Sequence, residues 1–392
     1  MSLITAARQV HWRLSCFFFA VVLVPGIQMP YWPLWLKDRG FGAEQVGTLL
    51  FAYALGRTTA APLLGQLADR LGSRRQILLS VCLLIIPLTA LHTLAGSNFA
   101  TQLILHVIGG LLFAAVIPLA DNMTLMAEQT GQLDYARVRA WGSKGFIVAS
   151  LLCGMLISGS DSARVLPLLL LAMVLMLFAA WCLPDIRTPV VPAIQVGSSS
   201  RLGALLGNRP LMLGILCSGL IQGSHGVLYG FATLHWRDAG HSEAVIGLLW
   251  TEGVLAEILL FYAATRWLNR WSAAQLMLAG AVASVLRWIA LATTSELSAL
   301  IVLQVLHALS FGATHLGAMR LLREVVPAQH SATAQTLHAA IVGGLFMGGS
   351  YWLAGHAWAA LGSQAFLLMV VPGVAGAWTA WRLLRPRAQR LS

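Results

Sequence analysis

The sequence GQLADRLGSRR occupies residues 65–75 and lies between two long apolar runs. Gly65 and Gly72 permit a tight turn and a close approach of neighbouring backbone. The segment carries one acid, Asp69, and three cations, Arg70, Arg74 and Arg75. Long apolar runs joined by a short charged turn are typical of consecutive membrane-spanning helices. The chain on either side of this turn therefore decides the fold class.

Outside the turn the chain is strongly apolar. Of its 392 residues, 58% are hydrophobic and only 10% are charged, and the mean hydropathy is +0.76. A soluble domain usually carries about 25% charged residues, so the composition excludes a soluble globular fold and a disordered chain. An outer-membrane barrel is excluded because its strands would alternate apolar and polar residues. We predict an all-α integral membrane protein.

Apolar runs bounded by charges or turn residues predict twelve transmembrane helices. The first, roughly residues 14–36, is too long for a signal-peptide core, so we expect it to be retained. A polar stretch with GSSS at residues 197–200 follows the sixth span and indicates a flexible linker. We expect an N-terminal six-helix bundle over residues 1–184, a cytoplasmic linker over 185–208, and a C-terminal six-helix bundle over 209–392 with a short basic cytoplasmic tail.

The distribution of basic residues predicts the orientation in the membrane. Most Lys and Arg residues fall in the N-terminus, the loops after even-numbered spans, the linker and the C-terminal tail. Four fall on the other side: Lys37, Arg39, Arg164 and Arg237. Because the basic side faces the cytoplasm, we expect both termini there. The basic residues form no single soluble face, so the net charge of +11 does not indicate nucleic-acid binding.

The two halves resemble each other at a shift of 200 residues. KDRG at residues 37–40 aligns with RDAG at 237–240, Gly47 with Gly247, and Arg70 with Arg270. Chance similarity between apolar helix pairs is the alternative, but matched charges in matched loops favour duplication. Two six-helix repeats with a cytoplasmic linker form the major facilitator architecture, whose site lies between the halves near mid-membrane. We predict two pseudo-symmetric six-helix bundles.

The turn at residues 65–75 resembles the major facilitator signature G-x-L-x-D-R-x-G-x-R-R. We interpret it as a gating loop made by Gly65, Asp69, Arg70, Gly72, Arg74 and Arg75. Asp69 can pair with a helix N-terminus or an arginine while a cavity is closed on the cytoplasmic side. The alternative is a solvated basic turn that only fixes topology. The second-half segment NRW at 269–271 lacks the acid, so we expect an asymmetric gate.

Seven ionisable residues fall within or at the edge of predicted spans, where insertion of each costs about 2.5–3.5 kcal/mol. They are Arg57, Asp121, Arg139, Lys144, Glu252, Glu257 and Arg287. Glu252 and Glu257 lie roughly 140° apart around a helix, so at most one faces a central cavity. Four cations against three acids favour an anionic substrate. Internal ion pairing that only holds helices together is the alternative, above all for Arg57 and Lys144.

Two histidines of the tenth predicted span, His307 and His315, lie within about 80° of each other around a helix. Gly312 and Gly317 beside them leave room for a ligand or a neighbouring helix. A buried histidine satisfied by a backbone carbonyl is the common alternative for any single one. Because an arginine and a glutamate lie on neighbouring spans, we predict a functional network.

Several stretches resemble bacterial phenylpropionate permeases, a major facilitator branch related to the galactoside–proton symporters. They are LDYARVRAWGS at 133–143, PLAD at 118–121, AE at 256–257, RW at 287–288 and the pattern His307 … Phe311 … His315 … Met319-Arg320. The resemblance covers nearly the whole chain outside the linker and tails. It implies the major facilitator fold and a multi-pass transporter of the bacterial inner membrane.

The resemblance also implies roles for individual residues. In the galactoside symporters an acid of helix four and an arginine of helix five bind substrate, and here these positions are Asp121 and Arg139. The stacking aromatic residue corresponds to Phe146. The helix-eight glutamate, the helix-nine arginine and the helix-ten histidine correspond to Glu257, Arg287 and His315.

One departure affects the proton step. Where the symporters carry a proton-bearing glutamate, three residues after the helix-ten histidine, this chain has Ala318. A proton must then use another group, and Glu257 or Asp121 is expected to carry it. The missing carboxylate leaves Arg287 less neutralised, which fits an aromatic carboxylate better than a sugar.

The resulting hypothesis is proton-coupled uptake of a small organic anion, such as an aromatic acid, by alternating access. The expected substrate-binding residues are Asp121, Arg139, Phe146, Trp141, Arg287 and His315. The expected proton-coupling residues are Glu257, Asp121, His315 and His307. The alternatives are a drug or metabolite exporter, and a sugar or nucleoside–proton symporter of the same fold.

The tryptophans have two interpretations. Trp141, Trp250 and Trp288 can take the aromatic ring of a substrate, but each can equally belong to the belt at the membrane interface. For Trp32, Trp35 and Trp267 the belt is favoured.

Other function classes lack their residues. The chain has no H-E-x-x-H, paired-aspartate or G-x-x-x-x-G-K-[ST] motif, so we expect no enzyme. The five cysteines lie inside apolar runs and indicate neither a disulfide framework nor a metal site. We expect no cofactor besides the coupling proton, an anionic small-molecule substrate, the lipid bilayer as surroundings, and a monomer.

Overall fold

The computed structural model describes residues 3–71, 73–129, 131, 133–159, 162–185, 203–264, 266–327 and 330–385. In these ranges the regular secondary structure is helical and forms no strand. The predicted all-α class is confirmed.

Two compact units divide the chain. One comprises Met1–Ala193 with Gly240–Thr251, and the other comprises Ile194–Ala239 with Glu252–Ser392. The predicted boundaries at residues 184 and 208 stay a prediction.

The first unit contains seven helices in its described part. They are α1 (Leu3–Asp38), α2 (Ala43–Leu71), α3 (Arg74–Ala95), α4 (Phe99–Phe113), α5 (Val116–Gln129), α6 (Tyr135–Ile157) and α7 (Val165–Trp181). A short 3-10 turn, Ser162–Arg164, precedes α7. The two helices α4 and α5 follow one another as a single candidate span, Phe99–Gln129.

The second unit contains α8 (Arg209–Gly223) and α9 (Gly226–Asp238), and α10 (Glu243–Ala264) enters it after Thr251. The next helices are α11 (Ala273–Thr293), α12 (Leu297–Val305), α13 (Thr314–Val325), α14 (Ser331–Ala339), α15 (Met347–Leu361), α16 (Ala365–Leu368) and α17 (Val370–Leu384). π-helical segments, Ala308–Ala313 and Ala340–Phe346, interrupt the tenth and eleventh predicted spans.

Ten helical segments of the described part are long and apolar enough to cross a membrane. The last of them, Thr333–Leu384, has 52 residues, which suffices for two crossings of about 20 residues each. The 29-residue helix α2 adds a further helix. These lengths are consistent with the predicted twelve spans.

Side-chain caps explain where several helices begin. At each of these starts a Ser, Asn or Asp side chain accepts a hydrogen bond from the third helical N–H, which stabilises the first turn. The capping residues are Ser73, Asn98, Asp134, Asn208 and Ser272.

Small residues let α1 and α6 approach closely. A Cβ added at Gly145 of α6 would overlap the backbone carbonyl of Phe19 in α1. The close packing fixes the position of α6 along α1.

The belt interpretation is wrong for two tryptophans of α1. Trp32 and Trp35 are buried inside the first unit and stack on each other with ring centroids 4.5 Å apart. Trp32 Nε1 donates a hydrogen bond to His106 Nε2 at 2.9 Å. Trp267 is 72% exposed, as a belt residue would be. The hydrogen bond to His106 satisfies the indole N–H of Trp32 inside the unit.

Candidate functional site

In the first unit the structure brings Asp121 and Arg139 together. Arg139 Nε lies 3.3 Å from Asp121 Oδ1, and Tyr135 donates its hydroxyl to the same carboxylate oxygen at 3.0 Å. The side chain of Arg139 is 41% exposed. This arginine therefore keeps donor capacity for a second anion beside its aspartate.

The start of α6 fixes the height of this pair. Asp134 caps the helix through the Arg137 N–H, and Glu128 of α5 accepts the N–H of Tyr135 at 2.8 Å. Tyr135 and Arg139 are four residues apart, so both reach Asp121 from one face of α6. The guanidinium carbon of Arg139 also lies 5.4 Å from the Phe18 ring centroid.

The two predicted aromatic residues of α6 lie on different faces. Phe146 is seven residues from Arg139, close to two full turns, so the two residues share a face. Phe146 is partly exposed. Trp141 instead packs edge-on against Trp12 and Phe19 of α1. Phe146, and not Trp141, therefore lies on the face of α6 that carries Arg139.

In the second unit Arg287 is completely buried. It donates to Gln304 Oε1, and its Nη1 lies 3.2 Å from His307 Nδ1 and 3.4 Å from Ser310 Oγ. Its Nε, also buried, has no hydrogen-bond partner among the described residues. All three side-chain partners lack a negative charge.

His307 connects Arg287 to Glu257. Its Nε2 lies 4.0 Å from Glu257 Oε2, on the other side of the ring from Arg287. A guanidinium only donates hydrogen bonds, so His307 Nδ1 must accept and the ring proton must lie on Nε2, towards Glu257. His307 therefore lies between Glu257 and Arg287.

Two members of this cluster, Gln304 and Ser310, were not predicted from the sequence, and both contact Arg287. His225, a titratable residue that the sequence places within a predicted span, contacts Ser310 Oγ through its Nε2 at 3.1 Å. Polar residues at positions 304, 307 and 310, three apart on one apolar span, were the available signal.

Trp288, which follows Arg287, is completely buried and donates to Ser224 Oγ at 2.9 Å. Trp250 is buried as well, in the part of α10 that belongs to the first unit. The interface belt is therefore excluded for both of these tryptophans.

His315 is aligned with His307 through Phe311. The ring centroids of His307 and Phe311 are 5.3 Å apart, and those of Phe311 and His315 are 6.4 Å apart with an interplanar angle of 7°. The π-helical segment Ala308–Ala313 contains more residues per turn than an α-helix, so ring positions four apart come close to one line. His338 of α14 lies beyond His315, with a centroid distance of 6.5 Å.

Two of the other charged residues singled out by sequence are exposed. Arg57 of α2 is exposed, and Lys144 of α6 is exposed with its Nζ 4.0 Å from the Trp141 ring centroid. Internal ion pairing that only holds helices together was the alternative for both residues. Among the described residues, no ion pair includes Lys144.

The turn that resembles the family signature is partly described. Gly65, Asp69 and Arg70 belong to the last turns of α2, but the side chains of Asp69 and Arg70, and all of Gly72, lie outside the described part. Arg74 Nε donates to Asn122 Oδ1 of α5, and Arg75 Nη2 donates to the Trp181 carbonyl at 2.6 Å. These two arginines fasten the turn to helices of its own unit; the gating role stays a prediction.

A family model described as the MFS_1 like family matches residues 11–369. The chain is 31% identical over 370 residues to the "Probable 3-phenylpropionic acid transporter" of Escherichia coli (strain K12), covering 93% of this chain and 95% of that protein. It is 27% identical to the "Maltose permease" of Geobacillus stearothermophilus, covering 87% of this chain and 85% of that protein.

The crystal structure of nucleoside transporter NupG superposes with a TM-score of 0.82 at 14% identity. The match covers 96% of this chain and 100% of that chain, and it shows a shared fold.

Proposed function

The chain belongs to the MFS_1 like family and is a multi-pass membrane transporter rather than an enzyme, and from that premise we propose that it takes up a small aromatic carboxylate together with protons. The 31% identity to a protein named as a probable 3-phenylpropionic acid transporter supports the substrate class. The side-chain chemistry of the two units supports it independently.

The buried Arg287 carries the proposal. A buried cation is expensive unless an anion or strong dipoles compensate its charge. Here Gln304, Ser310 and His307 supply neutral acceptors, and none of the ion pairs formed by the described residues includes Arg287. The cluster therefore keeps a positive potential, which favours the approach of a negative cargo.

Arg139 is the cation that we assign to direct contact with the carboxylate. It is partly exposed, and its single described acidic partner, Asp121, is also held by Tyr135. A guanidinium has five donors in a planar fork and can bind a second carboxylate while it keeps the first. Phe146, on the same face of α6, offers an aromatic surface to the ring of the cargo.

Glu257, beside His307, is the group that we assign to the proton. Glu257 is the nearest described carboxylate to the Arg287 cluster, at 4.0 Å from His307 Nε2. Protonation of Glu257 removes a negative charge from beside the cluster, which strengthens its attraction for an anion. Cargo and proton binding therefore favour each other, as symport requires. One anion moving with two protons gains about 2.3 kcal/mol per 100 mV.

The location and assembly follow from the same premise. The excess of basic residues in the N-terminus, linker and tail supports cytoplasmic termini in a bacterial inner membrane. Gly219 and Gly223, which have the Gly-x-x-x-Gly spacing of closely packed helices, both face Phe346 of the same chain, which supports a monomer.

A binding screen tests the substrate class. The purified protein in detergent is melted with 3-phenylpropionate, its neutral amide 3-phenylpropanamide, maltose or uridine. We expect the melting temperature to rise with the acid alone, and the rise to disappear in Arg139→Ala. A rise with maltose or uridine and none with the acid would replace the proposal by the sugar or nucleoside alternative.

A further inference from the structure

The outer surface of the first unit carries a group of cations that the transport site does not use. Arg8, Trp12 and Arg13 of α1 are exposed and, with Gln9, line an open groove of about 380 Å³. No carboxylate of the described residues forms an ion pair with Arg8 or Arg13. The groove is thus a positively charged surface that includes the indole ring of Trp12.

Two residues of helix α6, Trp141 and Lys144, add to this surface. Trp141 packs edge-on against Trp12 with ring centroids 5.5 Å apart, and the exposed Lys144 places its Nζ 4.0 Å from the Trp141 ring centroid. Lys144 therefore folds back along Trp141 towards α1. The cation–π contact leaves the other sides of its ammonium group free to bind an anion.

The depth of the surface follows from the length of α1. Its 36 residues span about 54 Å, whereas the hydrocarbon core of a bilayer is about 30 Å thick. The run without charged residues begins at Leu14, directly after Arg13. Arg8, Trp12 and Arg13 therefore lie at the level of the lipid headgroups, where tryptophan and basic side chains are favoured.

We propose that Arg8, Arg13 and Lys144, with Trp12 and Trp141, form a binding site for the headgroup of an acidic phospholipid. The three cations are opposite in sign to the lipid phosphate. The two indole rings can pack on the upper part of the acyl chains. The height along α1 matches that of the lipid phosphate. This site is separate from the cargo-binding groups and does not depend on which substrate is transported.

Lipid retention measured by native mass spectrometry tests the site. The full chain is purified in detergent and titrated with phosphatidylglycerol or with phosphatidylcholine. We expect tighter retention of phosphatidylglycerol, and a loss of about tenfold or more in the triple variant Arg8→Gln/Arg13→Gln/Lys144→Gln. Equal retention of the two lipids by the wild type would overturn the proposal.

A matched control separates a site from general charge attraction. The variant Arg266→Gln/Arg270→Gln/Arg323→Gln removes three exposed cations from the second unit and is expected to keep wild-type retention. An equal loss of phosphatidylglycerol retention in this control would also overturn the proposal. So would full displacement of phosphatidylglycerol by inorganic phosphate at millimolar concentration. If the first triple variant does not fold, Lys144→Gln alone must still weaken phosphatidylglycerol retention relative to Arg266→Gln.

Discussion

Arg287 Nη1 and His307 Nδ1 lie 3.2 Å apart inside the second unit. This contact fixes the histidine tautomer, because the arginine can only donate. The remaining ring proton then points at Glu257, 4.0 Å away. A second proton on His307 would have to face the guanidinium directly, so a proton that arrives at this cluster is held more favourably by Glu257.

Removal of the buried cation should abolish selectivity for acids. In Arg287→Gln the glutamine keeps hydrogen-bonding capacity but loses the charge, so the affinity for an aromatic carboxylate should fall about tenfold or more, while any weak binding of the neutral amide should not change. Isothermal titration in detergent measures both ligands. Arg164→Gln, which changes an exposed arginine directly before α7, is the control. An unchanged affinity for the acid would show that Arg287 serves packing alone.

Glu257→Gln should separate exchange from accumulation. The variant imitates the protonated carboxyl, so cargo can still bind and exchange across the membrane, but a proton gradient can no longer drive its accumulation. Vesicles preloaded with unlabelled acid measure exchange, and vesicles with an imposed pH gradient measure accumulation. Glu252→Gln, five residues earlier on α10, is the control. Normal accumulation in Glu257→Gln would move the proton to another residue.

Trp32→Phe should destabilise the protein without changing transport selectivity. The phenyl ring keeps most of the buried apolar surface but removes the donor to His106 Nε2, which leaves a buried acceptor unpaired. The expected loss is about 1–3 kcal/mol, seen as a lower melting temperature in detergent. Trp267→Phe, on an exposed side chain, should leave melting unchanged. Equal melting of both variants would contradict the buried hydrogen bond.

Gly145→Ala should weaken the packing of α6 on α1. Its methyl group would meet the Phe19 backbone, which cannot rotate away, so we expect a loss of about 1–3 kcal/mol and a displaced Arg139. The melting temperature and the affinity for the acid should fall together. Gly349→Ala has open space around the added carbon and should melt within a few degrees of wild type. A stable, fully active Gly145→Ala would contradict the close approach.

The sequence predicted the features that depend on composition averaged over long stretches of the chain. Apolar runs indicated the helical class, because helix-length hydrophobic stretches survive averaging over many residues. The resemblance assigned Asp121 and Arg139 to one substrate site, and the structure brings these two side chains together.

Other features depend on contacts that no local pattern encodes. Trp32 and Trp35 were expected at the lipid interface because tryptophans near span ends usually lie there, yet His106 on a distant helix pairs with Trp32. The alignment of His307 with His315 depends on the π-helical segment between them, and ideal α-helical spacing cannot indicate it.

Uptake by vesicles that contain only this protein tests the central claim most directly. Labelled 3-phenylpropionate is added outside, with the external solution more acidic than the lumen, and accumulation is followed with and without a protonophore. The proposal predicts accumulation above the external concentration, its collapse with the protonophore, and its loss in Arg139→Ala. Accumulation that the protonophore does not reduce would contradict proton-coupled transport of a carboxylate. Entry of the neutral amide to the same level as the acid would also contradict it.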